Sequence, residues 1–313
     1  MKIISTNEQL TALIPNTLIS VKGETPLFDK LAPFLDLAEA WVKETFTSEP
    51  TYNTICGYTD SNPIRIAAAR LVVADAMRRA IPSLDLVLTP NGFATVGTQN
   101  LVAASKMRVD RLVGSMLIHR DDCIAALLPE LPGASRWLNS KQAAFFGATL
   151  FPTFEIVNQC PVSNSQSLNW ERYLELRPQI IDLEASLAEE WLSPELMSAL
   201  RAENLRGDLP PVRHDVVRQI KAQLIDYLHK GMFNSRRLAD IVNIIRHRPS
   251  DFPEWHSSDT ARLFTPPDVP QPQRSPRLLL LSIPVAGGRS YPVCPSAIMQ
   301  RGTARGTDFP SQS

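Results

Sequence analysis

Over most of this chain the apolar residues return every three or four positions, and prolines and glycines cut that pattern into segments. Between Pro211 and Gly231, the residues Val216, Val217, Ile220, Leu224, Tyr227 and Leu228 fall on one face of a helix. Asn234 opens the next segment as a cap, followed by Leu238, Ile241, Val242, Ile244 and Ile245 before Pro249. Upstream, Ser193-Pro194-Glu195 is a cap, a first-turn proline and an acidic first turn, and Gly207 closes that helix. Trp170, Tyr173, Leu174, Ile180, Ile181, Leu187 and Trp191 form a further stripe, which Pro178 should interrupt and restart. Short connections predict that these four helices form an antiparallel bundle.

The first half reads similarly, with one exception. Met1–Ser5 suggests a short strand, and Thr6 caps a helix that stops at Pro15-Asn16. Thr25-Pro26 opens a helical stripe from Leu27 to Phe46 that Pro33 should split or kink. Asn62-Pro63 opens a helix apolar on more than one side, hence central and buried, ending at Pro82. The exception follows: Leu86–Thr89 and Phe93–Val96 flank Pro90-Asn91-Gly92, the pattern of a β-hairpin. Ser105 then caps a helix expected to bury Val109, Leu112, Val113, Met116 and Leu117, with a continuation to Pro129. Thr149–Phe151 and Phe154–Val157 suggest extended pieces, and residues 159–167 a polar linker. No internal repeat is evident.

The expected fold is therefore mainly α with a small β-hairpin. A helical domain spans residues 1–158, with the hairpin at about 85–97, and a C-terminal bundle spans 168–264. From 265 to 313 the chain has nine prolines and five arginines, with no lysine and no glutamate. That composition predicts a disordered tail. A second reading of its abrupt onset is a shifted reading frame after about residue 267.

Charge constrains function. The chain has 32 basic and 32 acidic residues, so it lacks the overall basic footprint of a nucleic-acid binder. MKIISTNEQL has no signal-peptide core, and no run approaches the ~18 apolar residues of a membrane span. Cys56, Cys123, Cys160 and Cys294 are scattered without a C-x-x-C and read as reduced, mostly buried thiols. The expected setting of such thiols is a reducing cytosol.

Motifs for chemistry are weak. His119-Arg120-Asp121 begins like a kinase catalytic loop but lacks its glycine-rich loop, Asp-Phe-Gly and downstream asparagine, so it reads as a polar break between two helices. The five histidines have no zinc spacing; a metal site at His247 and His256 would need Asp251 and Glu254 brought close. The carboxylates Glu171, Glu175, Glu184, Glu189 and Glu190 could divide acid and base roles, but such runs usually form a solvated helix face. Arg236, Arg237, Arg246 and Arg248 bracket one helix and are candidates for phosphate or subunit contacts, or for salt bridges to Asp240 or Asp251. No catalytic, cofactor or metal site is predicted.

The body, roughly residues 1–267, resembles uncharacterised proteins of phages and of integrated elements in gut bacteria. The resemblance rests on LTPNGFATV (Leu88–Val96), AASKMRVDRL (Ala103–Leu112), TLFPTFEIV (Thr149–Val157), EASLAEEWLSPELMSALRAENLRG (Glu184–Gly207) and RRLADIVNIIRHRPSDFPEWHSSDTARLFTPP (Arg236–Pro267). It implies a head–tail connector or related virion part: a non-enzymatic subunit, located in a virion or the cytoplasm of a bacterial host, that self-assembles into a ring and meets portal, capsid or tail proteins. Thr89, Pro90, Asn91, Gly92 and Phe93 at the hairpin tip, with the four arginines, are then the candidate interface. A nucleic-acid-binding accessory protein using those arginines is the first alternative. An enzyme with a site near His119–Cys123 is the second.

Overall fold

The computed structural model describes residues 1–14, 26–84, 86–89, 92–95, 106–160 and 169–264. The Pro15, Thr25, Pro90, Asn91 and Ser105 signals, most of the 159–167 linker, Cys294 and the whole 265–313 tail lie outside them. The described chain is mostly helical. In order it has α1 (Asn7–Leu13), α2 (Leu27–Val42), a π-turn (Lys43–Thr47), α3 (Glu49–Cys56) and α4 (Pro63–Leu84). Two four-residue strands follow, β1 (Leu86–Thr89) and β2 (Gly92–Thr95), paired antiparallel with Thr89 opposite Gly92 and Leu88 opposite Phe93. Then come α5 (Lys106–Leu127), α6 (Lys141–Phe146), α7 (Glu155–Gln159), α8 (Asn169–Leu187), a second π-turn (Ala188–Leu192) and α9 (Pro194–Arg206). The last elements are α10 (Pro211–Lys230), α11 (Ser235–Arg246), α12 (Pro253–His256) and α13 (Asp259–Phe264). No helix among the described residues is long and apolar enough to cross a membrane.

The caps act as their chemistry dictates. The side chains of Thr6, Ser193 and Asn234 accept the N–H of Gln9, Leu196 and Arg237, and Gly207 and Gly231 close α9 and α10 at φ 74° and 72°. The interruptions expected at three prolines do not occur. Pro33 and Pro178 neither split nor restart their helices, and α4 runs two residues past Pro82. All three prolines are exposed, so water can take the carbonyl that each leaves without a donor.

Other expectations need correction. Met1–Ser5 is irregular rather than a strand; Ile3 and Ile4 are buried, and the Ile3 N–H donates to Glu39 Oε1 at 2.9 Å. Glu155–Gln159 is helical, not extended. The stretch around His119 is no break, because α5 runs through it. The stripe from Val109 to Leu117 is not buried; Leu112 is 46 % exposed. Nor do residues 1–158 and 168–264 have separate cores. Met1–Pro266 is one compact unit, and Phe46 and Phe146 of the first half pack on Trp170 of the second.

The chain also contains the internal repeat that was not evident in its sequence. Pro33, Leu35, Glu39, Val42, Phe46 and Ser48 are matched in register by Pro178, Ile180, Glu184, Leu187, Trp191 and Ser193. Both helices pass through a π-turn into a serine of nearly the same conformation, Ser48 at φ 71°, ψ 156° and Ser193 at φ 73°, ψ 144°. Both buried glutamates accept a backbone N–H from the first residues of their own module, Ile3 for Glu39 and Leu150 for Glu184 (2.8 Å). The chain leaves each π-turn at its serine and a proline follows within two residues, which orphans a carbonyl. A tryptophan indole supplies the donor each time: Trp137 Nε1 to Phe46 O at 2.7 Å, Trp255 Nε1 to Trp191 O at 3.2 Å. After each tryptophan, a serine (Ser140, Ser258) accepts the N–H of an alanine (Ala143, Ala261) and a short helix ends in phenylalanine (Phe146, Phe264). Residues 1–146 and 149–264 are thus two versions of one module. They differ most between the third and fourth long helices, where the first carries β1, β2 and a longer α5, and the second has only the short connection from α10 to α11.

The two corner serines sit where φ is positive and ψ extended, a region that only glycine adopts without strain. Ser48→Gly should therefore stabilise the protein by about 1 kcal/mol. Ser193→Gly should gain less, since it also loses the cap on Leu196 N–H. Urea unfolding midpoints of the two variants check the difference.

Candidate interaction surfaces

The seam between the modules shows what this fold uses to hold a neighbour. The first turns of α8 lie on the end of the first module. Trp170 sits 5.1 Å from Phe46 and Tyr173 6.2 Å from Phe146, ring to ring. Arg177 stacks its guanidinium 3.7 Å above Phe145 and donates to the Phe145 carbonyl at 2.7 Å. A buried ionic knot locks the contact. Asp121 Oδ2 accepts the Trp170 N–H at 3.1 Å, capping the start of α8, and Arg120 bridges Asp121 (2.8 Å) and Glu171 (2.9 Å). Arg120 and Asp121 are thus structural, and their motif likeness to a catalytic loop has no counterpart in three dimensions.

Of the expected interface residues, the four arginines lie on α11 and just beyond it. Arg236, Arg237, Arg246 and Arg248 are all exposed. Arg237 pairs with Asp226 at 3.1 Å, which also holds Lys230, and Arg248 lies 4.0 Å from Asp251; Asp240 is not its partner. Arg248 and His247 border an open groove of about 610 Å³ between α10 and α11, floored by Val212, Val216 and Ile244. Thr89, Gly92 and Phe93 lie on the paired strands, while Pro90 and Asn91 are outside the described residues. On the first half of α5, Met107, Leu112 and Ile118 are 70 %, 46 % and 59 % exposed.

The residues weighed for chemistry are occupied otherwise. The Cys123 thiol is pushed up to about 11 by burial, so it stays protonated near neutrality, and His119 Nε2 is 3.9 Å from its sulfur. Cys56, Cys123 and Cys160 are free and buried. The ring N–H groups of His247 and His256 donate to the carbonyls of Asn243 and Ile245. Glu254 is held by Arg213, which also binds Glu203 and the Asp251 carbonyl. Among the described residues, no group of three or more His, Cys, Asp or Glu could hold a metal ion. The carboxylate run is not uniformly solvated as expected: Glu184 is fully buried, accepting Arg201 Nε at 2.7 Å and Leu150 N–H. Burial pushes its carboxyl above the usual range, outweighing the opposing pull of Arg201 and the Leu150 N–H.

Residues 14–147 match the model of a family of unknown function, DUF6712. The match begins just after α1 and ends one residue beyond α6, so all but its last residue falls within the first module. No curated protein matches the chain. No solved structure matches it either.

Two outcomes follow from the buried ions. Arg120→Ala leaves Asp121 in the core with only the Trp170 N–H, and should cost about 3–5 kcal/mol in chemical unfolding. Glu184 holds its proton to higher pH in the folded than in the unfolded chain. Its contribution is thus full below the ordinary value of 4.5 and fades as pH rises through the raised one. Glu184→Gln, which cannot titrate, should gain on the wild type in relative stability between about pH 4 and pH 7; urea unfolding at both pH values measures it.

Proposed function

We propose that this protein is a non-enzymatic structural subunit of a phage or prophage particle, a head–tail connector or adaptor that self-assembles into a ring. The supporting observation is the asymmetric seam. One module's Phe46–Phe145–Phe146 end receives the other module's helix start, so the contact joins two different faces. Such heterologous contacts are the kind that build rings when their rotation closes. The uncovered half of α5 adds apolar surface of the kind that portal, capsid or tail partners cover. The nucleic-acid reading has less support, because Asp226 and Asp251 neutralise two of its four arginines. The catalytic reading has less again, since Arg120 and Asp121 are spent on the seam and Cys123 remains a thiol.

Light scattering coupled to sizing chromatography, together with immunoblotting of purified particles from an induced host, tests this function. A multimer that copurifies with particles is expected. A strictly monomeric protein absent from particles contradicts it.

A further inference from the structure

The internal repeat leaves each module with one face whose counterpart in the other module is buried. In the first module, Phe46 and Phe146 are completely covered, at 0 % and 1 % exposure, and Phe145 lies under Arg177. The equivalent residues of the second module are Trp191, Phe264 and Leu263. Trp191 and Phe264 keep the internal geometry of the site, with rings 5.7 Å apart against 6.0 Å for Phe46 and Phe146. Yet both are only partly buried, and Leu263 is 77 % exposed. The complementary end is open as well. Tyr173, which enters the seam on α8, is 1 % exposed, whereas its equivalent Phe28 on the first turn of α2 is half-buried beside half-buried Leu27.

We infer that Trp191, Leu263 and Phe264 form a docking surface for the first turns of α2, Leu27 and Phe28, of a second copy of this chain. The contact between copies repeats the contact between modules. A single seam type therefore runs through the assembly, covalently connected at every other junction. A second copy is the fitting occupant because the same chain already contains a module end built to sit on this face. Leu263 in place of Phe145 asks for an aliphatic or aromatic side chain above it rather than a guanidinium, and Ala32 stands where Arg177 stands in the second module. The two substitutions are complementary: the end that lost the arginine faces the end that lost the ring. This inference deepens the self-assembly reading and rests on it.

Sedimentation velocity of the full chain over a range of concentrations tests the surface. Leu263→Arg blocks the receiving face at an exposed position, and Phe28→Glu blocks the entering face, with Leu27→Glu as its substitute should Phe28→Glu not fold. Wild type is expected to assemble, and each variant alone to sediment as a monomer with an unchanged melting temperature for Leu263→Arg. An equimolar mixture of the two variants keeps one intact pair of faces, so it should stop at a dimer. Leu263→Arg that assembles like wild type overturns the surface while leaving self-assembly standing; the chain's own residues beyond 264 covering the face would give that result. A mixture that stays monomeric overturns it too. Wild type that is monomeric at every concentration overturns both this surface and the self-assembly on which it rests.

Discussion

Each half of this molecule is organised around a corner in which a π-turn releases the chain at a strained serine. The corner leaves a backbone carbonyl without its helical donor, and a buried indole N–H supplies one, Trp137 to Phe46 and Trp255 to Trp191. An orphaned buried carbonyl would cost about 1–3 kcal/mol, so the tryptophan fixes how the last short helix of each module packs back on the first long one. The buried glutamate on that same long helix then fixes the incoming segment through one backbone N–H. Two polar contacts in an apolar core thereby set the path of the chain at both ends of the module.

The differences between the modules follow from what each must bury. In the second, Glu184 has Arg201 as its counter-ion; at the equivalent of Arg201 the first module has Cys56, and Arg65 binds that residue's carbonyl. Arg65 and Arg213 occupy the first turns of α4 and α10 and gather neighbouring acceptors, Asp60 in one case, Glu203 and Glu254 in the other. The first module alone has the pair of strands and the long α5. The C-terminal turns of α5 hold the ionic knot that clamps α8, while its N-terminal turns remain uncovered. One helix thus serves an internal contact at one end and offers surface at the other.

Local signals in the sequence were readable: Thr6, Ser193, Asn234, Gly207 and Gly231 act at the helix ends where their chemistry places them, and the apolar face of α10 is the buried one. What escaped depends on distance. Pro33 and Pro178 are helix breakers by local rule, but both are exposed, and tertiary packing of the opposite faces keeps each helix continuous past its proline. Glu184 belongs by composition to an acidic run, yet it lies on the stripe between Ile180 and Leu187, which was the sign of its burial. The repeat escaped because its matched positions are few and structural, a proline, a glutamate, an aromatic and a serine in register, and because the strands and longer α5 shift the register before the second set begins at Trp137 and Trp255. The seam residues Trp191, Leu263 and Phe264 could be recognised only through that register, since nothing local marks them.

Hydrogen exchange of the indole N–H groups, followed by NMR on the full chain, most directly tests whether both halves are built around the same corner. The Trp137 and Trp255 indoles should be protected to the level of core amides, because each is bonded to the corner carbonyl of its own module. A Trp255 indole that exchanges like an exposed side chain, beside a protected Trp137, would mean that the second half is not a copy of the first.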